Sequence, residues 1–159
     1  DTKWVCWFLG GAQRPEERAY LDRLTQHVAA AGLSERVHFL GYRRDVADLL
    51  GAADLYCHPN LAAEPFGLAV VEALYAGLPV VATDLGGPRE ILADGSGQLV
   101  PPNDPQALAT AIAPWLETSH GDTQAVESRR CRALTLCNPT ARLRDFADAL
   151  ESARMLVTA

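Results

Sequence analysis

Two glutamates, Glu64 and Glu72, sit in a stretch otherwise nearly free of charge, and their spacing is the most chemically suggestive feature of the chain. Residues 66–76 read as a helix in which Leu68, Ala69, Val70, Val71, Ala73, Leu74, Tyr75 and Ala76 leave almost no polar face, so burial on most sides is expected. Glu72 is the only charge in that helix, and a buried carboxylate is costly unless hydrogen bonding compensates it. One compensating partner is a hydroxylated ligand such as a ribose diol; the other is an internal arginine or a backbone amide. Gly67 in the first turn would let an anion approach the free N–H groups of Phe66, Gly67 and Leu68, where the helix dipole presents its positive end. From Gly67 to Glu72 the rise is about 7.5 Å, which suits a diphosphate at one end and a ribose at the other. Glu64, in the preceding loop, could reach a sugar attached beyond the diphosphate, or act simply as an acid near a helix N-terminus.

Weaker signals lie upstream. Gly10-Gly11-Ala12 follows a strand-like run and offers a second close backbone approach to phosphate, although paired glycines there are more often just a turn. Gly41-Tyr42-Arg43 follows another strand and could form a wall for a nucleotide base; otherwise Arg43 and Arg44 are surface charges. Cys6, Cys57, Cys131 and Cys137 follow no metal-ligand spacing, and Cys6 and Cys57 sit in apolar runs where reduced cysteine acts as a small hydrophobe. No Asp-x-Asp metal motif occurs.

The elements that must position these residues alternate. Residues 4–9, 37–40, 55–57, 80–83 and 98–100 read as short strands, and their continuous apolar character predicts burial on both faces. Between them, residues 16–31 carry Tyr20, Leu24 and Val28 on one helical face, and residues 104–117 carry Leu108, Ile112 and Leu116. Pro15, Glu16 and Glu17 suit a helix start, Gly32 and Gly77 suit helix ends, and Gly86-Gly87 turns into a further helix. Two more helices are expected after Asp122, the second with Leu143, Phe146, Leu150 and Ala153 on a packing face. Arg129, Arg130 and Arg132 read as a solvated face. The alternation predicts an α/β, Rossmann-like doubly wound fold with a mostly parallel sheet, in which ligands bind at the carboxyl ends of the strands.

Composition bounds the partners. The 159 residues fit one globular domain, and 48% hydrophobic content is enough for a core. A net charge of -6 and a pI near 5.1 have the wrong sign for nucleic acid or anionic lipid. The cysteine usage points to a reducing compartment, no run approaches a membrane span, and a cytoplasmic location is expected. With Asp1 in place of a starting Met, a longer natural protein is expected.

With these residues in place, the chain resembles the C-terminal, donor-binding domain of the retaining family 4 glycosyltransferases of the GT-B fold. The resemblance extends from about residue 4 to residue 117. Its most specific element is Glu64-Pro65-Phe66-Gly67-Leu68-Ala69-Val70-Val71-Glu72, a Glu-x7-Glu motif, followed by Gly77-Leu78-Pro79-Val80-Val81-Ala82. Around it stand Ala53-Asp54-Leu55, Gly86-Gly87-Pro88-Arg89-Glu90-Ile91 and Gly97-Gln98-Leu99-Val100-Pro101-Pro102-Asn103-Asp104. The resemblance implies that Glu64 contacts donor-sugar hydroxyls and serves catalysis, that Glu72 holds the ribose, and that Phe66, Gly67 and Leu68 give backbone contacts to diphosphate and sugar. It implies that Arg43 meets the base through its main chain. It further implies a hexosyl transfer from a nucleotide-diphosphate sugar with retention, without a metal or other cofactor, because amides and basic side chains stabilise the leaving diphosphate.

Two departures from the family pattern stand out. Family members open this domain with a strand followed by an Arg and a Lys, and neither that strand nor that Gly-Arg-x...Lys-Gly pair is present. The acceptor site and a catalytic His come from an N-terminal domain that this chain lacks, so His27, His38, His58 and His120 are not assigned that role, and the chain alone is expected to bind donor weakly and transfer nothing. A membrane-peripheral full enzyme is among the expectations. The absent strand lies centrally, so its slot is expected to be filled by another polypeptide, by a swapped segment, or by closure of the two flanking strands. A non-catalytic nucleotide-sugar-binding or interaction module is the alternative function. A two-carboxylate glycoside hydrolase ranks last, since it needs facing carboxyls across a substrate.

Overall fold

The computed structural model describes residues 3–117 and 122–157; Asp1 and His120 lie outside the described residues. Strands and helices alternate along the chain: β1 (Cys6–Leu9), α1 (Pro15–Ala30), β2 (Val37–Gly41), α2 (Val46–Gly51), β3 (Tyr56–His58), α3 (Leu68–Ala76), β4 (Val80–Thr83), α4 (Gly87–Ile91), β5 (Gln98–Val100) and α5 (Pro105–Ile112). A 3-10 turn (Ala113–Leu116) and two helices, α6 (Thr123–Leu136) and α7 (Pro139–Val157), follow. All strand pairs are parallel, in the orders β1-β2 and β3-β4-β5. The α/β, Rossmann-like expectation therefore holds.

The core sits around β4, the one strand buried along its whole length. Alternate side chains of a strand point to opposite faces, and both faces of β4 are covered. Val80 and Ala82 pack with Val70, Val71, Ala73 and Leu74 of α3, with Ile91 and Leu92, and with Ala133 of α6. Val81 packs the other way with Val100, Ala111, Leu108 and Ile112. Each fully buried Val or Leu contributes about 1.5–3 kcal/mol, so this sandwich anchors the loops at the carboxyl ends of β3 and β4.

Two of the three arginines of α6, Arg129 and Arg132, fasten it to that core, which corrects the expectation of a solvated basic face at these positions; Arg130 is exposed as expected. Arg129 donates from Nη1 to the Gly77 carbonyl at 3.1 Å and lies over the Trp115 ring. Arg132 donates to the carbonyls of Ile91 and Glu90, each at 2.9 Å, and pairs with Asp94. The carbonyls they cap lie at or just beyond helix ends, where cations are favoured.

Three packing expectations also need correction. Direct closure of the sheet does not occur: β1 and β3 belong to separate sheets with no ladder between them. The Cys57 thiol of β3 is pushed up to about 11 by burial, with Cys6 of β1 adding to the effect. Burial on both faces fails for β1, where Trp7, Phe8 and Leu9 are each exposed by about two fifths, because among the described residues no helix packs closely over the strand. Tyr20 of α1 and the Leu143, Phe146 and Leu150 face of α7 are exposed as well. Leu21 takes the inward place beside Leu24 and Val28, while Tyr20 stacks against the Arg23 guanidinium at 5.6 Å.

Candidate active site

The Glu-x7-Glu segment forms the loop and first turns that follow β3. Gly67, not Phe66, begins the helix: it is the N-cap of α3, with φ of 95°, a left-handed conformation that favours glycine. A side chain there would also press on Pro88 and Ile91 at 3.3 Å. Phe66 stands outside the helix and is half exposed. The carbonyl of Gly67 accepts from Val70 and Val71, whereas among the described residues no main-chain bond engages the N–H of Phe66, Gly67 or Leu68. Three donors therefore stand free at the positive end of the helix, as an anion site requires.

Glu72 corrects the expectation of a buried carboxylate. Val70, Val71, Ala73 and Leu74 point into the core, while Leu68, Glu72 and Tyr75 share the exposed side of α3. The i, i+4, i+7 spacing explains this, since these residues fall on one face of the helix. Glu72 makes no ion pair among the described residues, so an internal cation is not its partner there. Its charge reaches Tyr56 of β3, whose hydroxyl is pushed up to about 12 by burial, then by Glu64, Cys57 and Glu72.

Glu64 is held from several directions. Its Oε2 accepts from Asn60 Nδ2 at 3.3 Å and lies 3.6 Å from His58 Nε2. The loop carrying these residues is tied to the end of β4 by Thr83, whose hydroxyl donates to the Asn60 carbonyl at 2.8 Å. On the opposite side, the Gly87 N–H donates to the Glu64 carbonyl at 2.8 Å. Gly86 and Gly87 pack so closely that added Cβ atoms would stand 2.3 Å from the Glu64 oxygen and 1.9 Å from the Phe66 oxygen. Sequence reading took that pair for a turn; its closeness to the Glu64 loop is a long-range contact that no local pattern announces. His58, Asn60 and Thr83 also escaped it, although their position at strand ends was a usable signal.

The upstream candidates form a second group. Gly10 donates its N–H to the Gly41 carbonyl at 3.0 Å, so that group is not free for phosphate; Gly11 lies against Tyr42. Both loops therefore meet at the carboxyl ends of β1 and β2. Arg43 is held by Asp45 through two contacts, 2.8 Å from Nε and 2.5 Å from Nη2, which draws the Asp45 carboxyl down to about 2. Its guanidinium is engaged, while its main chain takes part in no hydrogen bond among the described residues, which leaves the backbone for any contact to a base. No cluster of His, Cys, Asp and Glu among the described residues could hold a metal.

Residues 1–131 match the family described as Glycosyl transferases group 1. The chain belongs to that family. Among curated glycosyl transferases, a phosphatidyl-myo-inositol mannosyltransferase of Mycobacterium leprae is 48% identical over 90 residues, covering 55% of this chain and 24% of its own length. A lipopolysaccharide core biosynthesis mannosyltransferase, LpcC, of Rhizobium leguminosarum is 36% identical over 127 residues, 76% of this chain and 36% of that protein. The chain thus spans well under half of the relatives it matches. Among solved structures, Anabaena HepE in complex with UDP superposes with a TM-score of 0.76 at 34% identity, over 94% of this chain and 41% of that one. The C-terminal domain of a group 1 glycosyl transferase, LpcC, from Francisella tularensis gives 0.67 at 25% identity, over 85% and 70%.

Proposed function

We propose that this glycosyl transferase domain binds the nucleotide-diphosphate sugar from which, together with an N-terminal acceptor half, the intact enzyme transfers a hexose with retention. The observation that carries the reading is the grouping around α3: three free N–H donors at its start, Glu72 exposed on the same helix, and Glu64 held beside its entry. The donors suit the diphosphate and stabilise charge as it leaves, Glu72 takes the ribose hydroxyls, and Glu64 takes hydroxyls of the sugar. Phosphate neutralisation by amides and by basic side chains from elsewhere in the enzyme requires no metal. Such a domain belongs to family 4 and works in the cytoplasm, where nucleotide sugars meet the enzyme. The HepE structure contains UDP, and related structures of it contain UDP-glucose, which supports a uridine nucleotide among the donors to test. The relatives named for phosphatidyl-myo-inositol and lipopolysaccharide core support a membrane-peripheral full enzyme; no described helix is long and apolar enough to cross a membrane.

Calorimetric titration of the chain with UDP, GDP and ADP and with their hexose conjugates tests this. Weak but saturable binding of one nucleotide, strengthened by the sugar, is expected. Binding of none would leave the non-catalytic interaction module as the better account.

A further inference from the structure

His58 ends β3 and is 7% exposed, and its Nε2 is buried with no hydrogen-bond partner. A buried donor left without a partner is costly, so its direction is informative. A polar group stands near each ring nitrogen. The Tyr56 hydroxyl lies 3.3 Å from Nδ1, and Glu64 Oε2 lies 3.6 Å from Nε2. The tautomer follows from the second contact: a bare Nε2 lone pair facing a carboxylate oxygen is repulsive, while Nε2–H facing it is attractive. Nδ1 is then the acceptor, and the Tyr56 hydroxyl must donate to it. At 3.6 Å the His58 to Glu64 contact is longer than a hydrogen bond, a geometry that ligand engagement commonly tightens.

From this arrangement we infer that His58 is a positioning residue: its Nε2–H, oriented by Tyr56, sets the angle at which the Glu64 carboxylate meets the hydroxyls of the donor sugar. The role rests on the donor reading given above. Asn60 holds the same Oε2 from the other side at 3.3 Å, and Thr83 fixes the loop on which Asn60 stands. The carboxylate is therefore held by one donor, Asn60, and faced at longer range by a second, the buried His58. Burial pushes His58 below its ordinary value of 6.5, with Glu64 pulling the other way, which favours the neutral ring.

Two measurements test the inference. Nitrogen-15 NMR of the histidine ring in the chain should report the Nε2–H tautomer, and Glu64→Gln should lower the pH at which His58 titrates. An Nδ1–H tautomer, or a titration indifferent to Glu64→Gln, overturns the inference without reference to any ligand. Calorimetry with a nucleoside diphosphate and its hexose conjugate gives the second readout. His58→Leu should leave the diphosphate affinity unchanged and weaken the sugar conjugate about three- to tenfold, one hydrogen bond's worth. His58→Gln, which keeps a donor near the Nε2 position, should restore most of that loss. Equal weakening of both ligands, or no rescue by Gln, reduces His58 to a structural residue and overturns the role. Failure of the unaltered chain to bind any conjugate instead removes the donor reading and the sugar-directed role, while the NMR result still decides the coupling.

Discussion

Replacing Gly87 by alanine isolates the contact that shapes the Glu64 loop. Gly87 does not have a positive φ, so alanine is conformationally acceptable there; the obstacle is steric. The added methyl would stand 1.9 Å from the Phe66 carbonyl oxygen and 2.3 Å from its carbon. Real Cβ contacts stay beyond 3.0 Å, and both obstructing atoms are backbone, so no rotamer change relieves the clash. The loop must retreat by about 1 Å, and a displacement of that size at a reacting centre can cost about 10²-fold in rate. Overpacking against a fixed surface costs about 1–3 kcal/mol, and rigid backbone puts this case at the upper end. For a chain of this length that is a fall in Tm of about 5–10 °C. Thermal unfolding of the chain measures the first effect, and kcat of the intact enzyme at saturating donor measures the second. An alanine variant with unchanged Tm and unchanged kcat would refute the claim that the glycine pair moulds the site.

Other perturbations separate binding from packing. Glu72→Ala in the intact enzyme should weaken donor affinity at least tenfold, read by calorimetry, while thermal stability moves by no more than about 0.5 kcal/mol because the residue is exposed. Glu64→Gln should lower kcat more than it weakens nucleotide binding, which steady-state kinetics with a direct binding assay distinguishes. Leu74→Ala, at a fully buried position between α3 and β4, should cost about 2–5 kcal/mol in urea unfolding with no direct effect on donor contacts. The native His58 titrates below its ordinary value, so the unfolded chain binds the proton more readily and stability falls as pH drops below about 6.5. His58→Gln should remove that part of the decline, seen as a smaller gap between urea midpoints at about pH 7.5 and about pH 5.5.

Much of the fold was legible because its signals are local. The apolar runs at β4 and β5 matched their observed bounds, and Pro15 and Gly77 bracketed helices as their backbone preferences require. Helix α2 was not anticipated: six residues give too short a window for a helical period to show. Glu64 and Glu72 were legible through their spacing, but the environment of Glu72 was misjudged. An almost wholly apolar helix need not be buried all round, and here Leu68 and Tyr75 share its open face. What stayed hidden depends on contacts between distant segments, as with Gly87 against Phe66, Thr83 against Asn60, and the arginines of α6 on the carbonyls they cap. Residue type alone gives no sign of which remote neighbour will stand opposite.

Among the described residues, none that precedes His58 is buried, whereas β4 is buried throughout. Protection against hydrogen exchange follows such gradients, because segments with little apolar burial open at low free-energy cost. Amide protons of β1 and β2 should therefore trade with deuterium long before those of β4, so that a firm centre around β4 carries a pliant amino-terminal flap. A ligand spanning Gly11 and Glu72 would bind partly by quieting that flap, and its affinity would be set as much by the order it imposes as by the groups it touches.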